Sequence, residues 1–152
     1  MTCKSCQRKH ATYSFPHSGP LCTGCFLRLF EKRVRKHVRI NRLFTKGDVI
    51  VAHDPLCRRL VKDIIKDLPA RIISKKSKNT TKMVVPWTVD HETAQFLDFL
   101  FSGKKRHGPV NAVAILARVS FAEAKAYAAA RNIPFQLQRP AGIGADFIRK
   151  IE

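Results

Sequence analysis

Two cysteine pairs, Cys3-x2-Cys6 and Cys22-x2-Cys25, constrain this chain more than any other feature of it. Each pair can turn tightly enough to aim both sulfurs at one ion, and the C-x2-C-x15-C-x2-C spacing lets two pairs complete a tetrahedron. Four thiolates leave no coordination position for water, so the sequence predicts one structural zinc ion with no catalytic part. His10 and His17 lie between the pairs and are not needed as ligands. A redox role is the competing reading of a CxxC pair, and two pairs flanking an aromatic turn argue against it. Metal-dependent folding of residues 1–25 follows. Outside the pairs only Cys57 remains, so the thiols suit metal binding in a reducing cytoplasm better than a disulfide framework.

Charge narrows the partners. Lys and Arg number 29 against 11 Asp and Glu, a net charge of +18. Such an excess repels itself in a compact chain unless an anionic partner offsets it, and nucleic acid is the usual one. Membranes are not expected: no apolar run approaches the roughly 18 residues that span a bilayer, and MTCKSC contains no apolar signal core. The bias is sharpest at the front, where residues 1–46 carry 11 Lys and Arg and one acid, Glu31.

Hydrophobic periodicity sets the elements. Phe26, Phe30, Val34 and Val38 recur every four residues and predict a helix over 26–42. Arg28, Lys32, Arg33, Arg35, Lys36, Arg39 and Arg42 cover most of its remaining surface. Val49 to Ala52 reads as a short buried strand, 56–67 as a helix, 70–74 and 81–85 as strands, and 91–101 as a helix capped by Asp90. Ser120 with Glu123 has capping-box spacing for a last helix ending near Arg131-Asn132. Strand–helix alternation predicts an α/β fold: a zinc module (1–25), a basic connecting helix (26–45) and a small parallel-sheet domain (46–152). Trp87 and His91 read as edge-packing and surface residues.

Several stretches resemble a known family. The run from Cys3 to Ala52, with its paired CxxC, the Leu21-Cys22…Cys25-Phe26 edge, Phe30-Glu31-Lys32-Arg33-Val34 and the Gly47-Asp48 turn, is similar to the N-terminus of the tRNA 2-thiolation proteins. Those are enzymes of the PP-loop ATP pyrophosphatase superfamily. Residues 89–103 and 115–135 resemble later segments of that family more weakly. The resemblance implies a PP-loop-like sheet and a tRNA-handling ancestry. It also implies an SGGKDS-type phosphate loop after the first strand, where this chain reads Asp54-Pro55-Leu56-Cys57-Arg58-Arg59. That segment has no glycine to admit phosphate closely, and Pro55 lacks an N–H. With Cys57 alone outside the pairs, the further cysteines that family members use for an iron–sulfur cluster or sulfur relay are missing. The expectation is a shortened, degenerate relative, about half the family's length, with no catalytic residue, no ATP and no iron–sulfur cluster. Arg58 and Arg59 could still meet a phosphate there, as point contacts and not as a cradle.

The function expected is therefore non-catalytic RNA binding. The residues expected to meet RNA are the seven bases of the helix, Lys75, Lys76 and Lys78 in one polar loop, and Lys104, Lys105 and Arg106 in a Gly-bracketed one. Ribosomal RNA on a ribosomal subunit is the preferred partner, with tRNA second. The alternatives are a tRNA 2-thiolation component working with a catalytic partner, and a zinc-containing DNA-binding regulator.

Overall fold

The computed structural model describes residues 1–103, 110–142, 146 and 150. The front is a small antiparallel hairpin, β1 (Tyr13–Phe15) and β2 (Gly19–Leu21), with Thr2 bridged to His10 beside it. Helix α1 (Thr23–Ile40) follows directly. Its buried residues are Cys25, Phe26, Phe30, Val34 and Val38, the four-residue stripe seen in the sequence. Tyr13 and Phe15 of the hairpin lie 4.6 and 5.3 Å from the Phe26 ring, so the cysteine-rich front is seated on the start of α1 by aromatic packing.

The body is a four-stranded parallel sheet in the order β4-β3-β5-β6, from β3 (Val49–Ala52), β4 (Arg71–Ile73), β5 (Lys82–Val84) and β6 (Ala112–Val113). All four residues of β3 are buried, as a central parallel strand requires. Helix α2 (Pro55–Ile64) carries the chain from β3 to β4, α3 (Val89–Ser102) joins β5 to β6, and α4 (Phe121–Ala130) follows β6. The α/β class, parallel sheet and N-terminal four-cysteine group expected from the sequence are all present.

One hydrophobic cluster runs from Cys3 to Leu137, taking in the hairpin, α1, the sheet and α4. The Phe30 and Tyr127 rings stack at 4.2 Å where α1 meets α4. Polar bonds lock the same contact. The Tyr127 hydroxyl donates to Glu31 Oε1 at 2.8 Å and Arg131 Nη2 donates to the same oxygen at 2.5 Å. One turn on, Arg33 Nη1 donates to the buried Glu123 Oε1 at 2.5 Å, while Arg33 Nη2 meets the Arg118 carbonyl at 2.6 Å.

Three details differ from the sequence reading. The cap of α3 is Thr88, with His91 completing a capping box; Asp90 instead accepts the Phe121 N–H at the start of α4. His91 is a structural tie and not a plain surface residue, since its second ring nitrogen lies 2.9 Å from the Gln138 carbonyl. The hairpin and β6 were not foreseen. The Ser120–Glu123 capping box is as expected.

Candidate metal centre and basic groove

The first CxxC pair lies on a tight turn in which the Gln7 N–H donates to the Cys3 carbonyl at 2.9 Å, with Gln7 at φ +55°. The second pair opens α1: Cys22 is its cap, and the Phe26 N–H returns to the Cys22 carbonyl at 2.9 Å. The Cys22-x2-Cys25 thiols therefore stand at a helix N-terminus, whose partial positive charge favours thiolate. β1–β2 pairing brings Leu21, and with it Cys22, back beside the first turn. Sγ atoms of Cys3, Cys6, Cys22 and Cys25 all fall within 4.8 Å of one another, and Cys6 and Cys22 sulfurs are 3.9 Å apart.

Electrostatics mark the group as a thiolate site. Backbone N–H groups of Cys22 and then Cys6 aimed at the Cys3 sulfur pull its pKa down to about 6. The Arg28 guanidinium, 3.4 Å from the Cys25 sulfur, is the chief cause of a lowered Cys25 pKa. At Cys22 the Cys25 N–H favours thiolate, but burial and the three neighbouring thiols outweigh it and push the pKa up. Crowding of this kind is relieved by a bound cation, which deprotonates its thiol ligands.

The second feature is a groove of about 880 Å³ between the exposed face of α1, the segment 42–46 and the C-terminal end of α2. Arg28, Lys32, Arg35, Lys36, Arg39, Arg42 and Lys46 line it, over a floor of Val38, Phe44, Ile64 and Leu68. Among the described residues Glu31 is its single acid, and that carboxylate is spoken for. Burial pushes its pKa up, but the Tyr127 hydroxyl and Arg131 guanidinium outweigh this and hold it below the usual value. The groove thus gathers six of the seven helix bases named in the sequence reading. Arg33 is the exception, tied to Glu123 and the Arg118 carbonyl. A smaller cavity of about 350 Å³ lies beside it, lined by Arg33, Lys36, His37, Ile40, Asn41 and Arg118.

Lys75, Lys76 and Lys78 are exposed just beyond the carboxyl end of β4, apart from the groove. Lys104, Lys105 and Arg106 lie outside the described residues. Lys46, Phe44, Ile64 and Leu68 were not foreseen. Only the Lys46-Gly47-Asp48 turn signalled them, because the groove depends on how the chain leaves α1 and how α2 ends.

At the carboxyl end of β3, Asp54 caps α2 by accepting the Cys57 N–H at 2.9 Å, and Pro55 opens the helix. Arg58 Nη2 lies 3.4 Å from Ser74 Oγ, and Arg59 pairs with Asp63 at 3.3 Å. Cys57 is fully buried, and burial pushes its pKa well up.

Over 99% of its length, this chain is similar to the solved structure of U34-tRNA thiolase NcsA from Methanococcus maripaludis with its [4Fe-4S] cluster. The TM-score is 0.67 at 13% identity, and 79% of the thiolase chain is covered. At that identity the likeness is one of fold. No protein-family model and no curated protein matches the sequence. The resemblance implied about half the family's length, and the chain covers 79% of this thiolase chain.

The cofactor expectation needs correction. One structural zinc with no iron–sulfur cluster was expected; the similar structure is of a thiolase with its [4Fe-4S] cluster. The inference from spacing failed because four thiolates are equally the ligand set of a [4Fe-4S] cluster. The donor set here, four convergent thiols with three of them buried, matches such a cluster in kind, while the sulfurs, all within 4.8 Å of one another, stand at the spacing of ligands around a single ion.

Among the described residues, no helix is long and apolar enough to cross a membrane.

Proposed function

We propose that this chain is a tRNA-binding component of tRNA 2-thiolation that works with a catalytic partner. The observation that carries the reading is the fold shared along 99% of the chain with a U34-tRNA thiolase. The groove of seven bases at α1 supports it, since phosphate contacts supply most of the affinity for RNA. Nothing in the comparisons favours a ribosomal partner, so the thiolation reading stands ahead of ribosomal RNA binding.

In this reading the chain does no ATP chemistry itself. In an open parallel sheet the ligand site is the crevice beyond the carboxyl ends of the strands, where the strand order switches. Here that place lies between β3 and β5, at the turn after β3. A phosphate there needs free N–H groups at the start of α2. The Asp54 carboxylate already takes the Cys57 N–H, Pro55 has none, and the charge is of the wrong sign for an anion.

Cys3, Cys6, Cys22 and Cys25 would hold an iron–sulfur cluster. Ligated by four thiolates, it would supply a clamp on the N-terminal fold and a one-electron redox couple. The Arg28 contact with Cys25 joins that centre to the groove wall.

The test is binding by the full chain, purified without oxygen, to tRNA transcript and to isolated ribosomal subunits at equal salt. Preference for tRNA, without pyrophosphate release from ATP by the chain alone, supports the reading. Preference for the subunits, or pyrophosphate release, contradicts it.

A further inference from the structure

The groove has a position and a lining that a phosphate track alone does not require. Segment 42–46 feeds the amino end of β3, and α2 runs back from the carboxyl end of β3 to the amino end of β4. The groove between them lies at the amino edge of the sheet, opposite the edge where α/β folds hold the ligands they act on. Its walls are cationic but its floor is apolar, with half-buried Ile64 and Leu68 beside the edges of Val38 and Phe44. About 880 Å³ is the size of a small-molecule site. Bases above an apolar floor match a ligand with a flat apolar body and a phosphate on each side.

Arg42 adds a second, independent observation. After α1 the chain leaves through a reversed turn in which the Leu43 N–H donates to the Val38 carbonyl at 3.0 Å. Arg42 takes the left-handed position of that turn, φ +48°, which glycine occupies at far lower cost. A long charged side chain standing where glycine is better tolerated, on the wall of the groove, points to use at that spot. Its guanidinium is exposed on the groove wall.

We infer that this groove lodges one unpaired, unstacked nucleotide of RNA, its base on the Phe44–Ile64–Leu68 floor and its flanking phosphates on Arg39, Arg42 and Lys46. The site holds RNA in place and takes no part in chemistry. It rests on the tRNA-binding reading above and goes beyond it by fixing where an RNA loop docks. Single-stranded RNA is recognised in this way, by splaying a base onto an apolar or aromatic surface between phosphate contacts.

The test uses the full-length protein, tRNA transcript containing 5-iodouridine, a single-stranded uridine hexanucleotide and a fully paired RNA duplex. Crosslinks are expected in the peptide 38–46, with the hexanucleotide competing about tenfold better than the duplex. Arg39→Glu is expected to weaken tRNA binding about tenfold and to lower the salt dependence. Arg42→Gly should raise the thermal midpoint while weakening tRNA binding, a pairing that a purely structural Arg42 would not give. Equal competition by duplex, crosslinks confined to residues 74–79, or undiminished tRNA binding by both variants overturns the inference and leaves the tRNA-binding reading intact. The last outcome is also expected if the groove takes an acidic protein segment. No tRNA binding by the wild-type chain overturns both.

Discussion

Removing the Glu123 carboxylate probes the joint that presents α1. Glu123 is 2% exposed and accepts from Arg33 at 2.5 Å, while its other oxygen accepts the Ser120 N–H at 2.8 Å. Breaking a buried ion pair costs about 3–5 kcal/mol because the surviving charge is stranded. The Arg33 side chain is 29% exposed and keeps the Arg118 carbonyl, so water and that bond recover part of the loss. Losing the bond to the Ser120 N–H adds about 1 kcal/mol. Glu123→Ala should therefore cost about 2–3 kcal/mol, read as a lower urea midpoint at unchanged slope. Glu123→Gln keeps a carbonyl for the Ser120 N–H and should cost about 1 kcal/mol. Arg33→Met with Glu123→Leu should recover stability relative to Glu123→Ala, because no charge is left stranded. A Glu123→Ala variant within about 0.5 kcal/mol of wild type would refute the reasoning. The double variant should bind tRNA as wild type does, since Arg33 faces α4, whereas Arg39 faces the groove.

Four further outcomes follow from the same geometry. Burial and the bond to Glu31 raise the Tyr127 pKa to about 12. The native state keeps a phenol proton that the unfolded chain releases near pH 10, so this contribution is whole below about pH 10 and lost as pH rises toward 12. Alkaline unfolding followed beside Tyr127→Phe checks it; equal sensitivity of the two proteins between those pH values argues against it. The lowered Glu31 pKa works in the other direction, its stabilisation present at neutral pH and lost as acid protonates the carboxylate, so Glu31→Gln should flatten the acid limb of the stability profile. Asp54→Ala should cost about 1 kcal/mol through the lost cap of α2 without conferring ATP binding, as calorimetry with ATP would read. The loaded centre should yield about four irons and four acid-labile sulfides per chain; a single divalent ion without sulfide would remove the cluster from the account.

Much of this fold was legible from local chemistry. Phe26, Phe30, Val34 and Val38 announced α1 because a four-residue repeat falls on one helical face, and all four are buried. The all-apolar Val49–Ala52 announced a central parallel strand for a similar reason. What stayed hidden was set by distant partners. The strands Tyr13–Phe15 and Gly19–Leu21 are three residues each and include Pro20, so they show no alternation of their own. Ala112–Val113 is a strand only because Met83 and Val84 lie beside it. Asp90 looked like a cap but reaches forward to Phe121, leaving Thr88 and His91 to cap α3. The basic residues of α1 were legible as a cationic surface. That six of them share a groove while Arg33 serves α4 depends on Phe44, Ile64, Leu68 and Glu123, residues whose meeting no local pattern encodes. The spacing of Cys3, Cys6, Cys22 and Cys25 disclosed a thiolate centre but not which metal it takes, because thiolate chemistry is common to both readings.

The most direct test of the proposed function is the thionucleoside content of total tRNA from cells lacking this chain. Digestion to nucleosides and mass spectrometry read it without assumptions about the partner enzyme. Participation in thiolation predicts that 2-thiouridine falls, and that the wild-type chain restores it while Arg39→Glu does so poorly. An unchanged 2-thiouridine level in the absence of the chain would contradict the account.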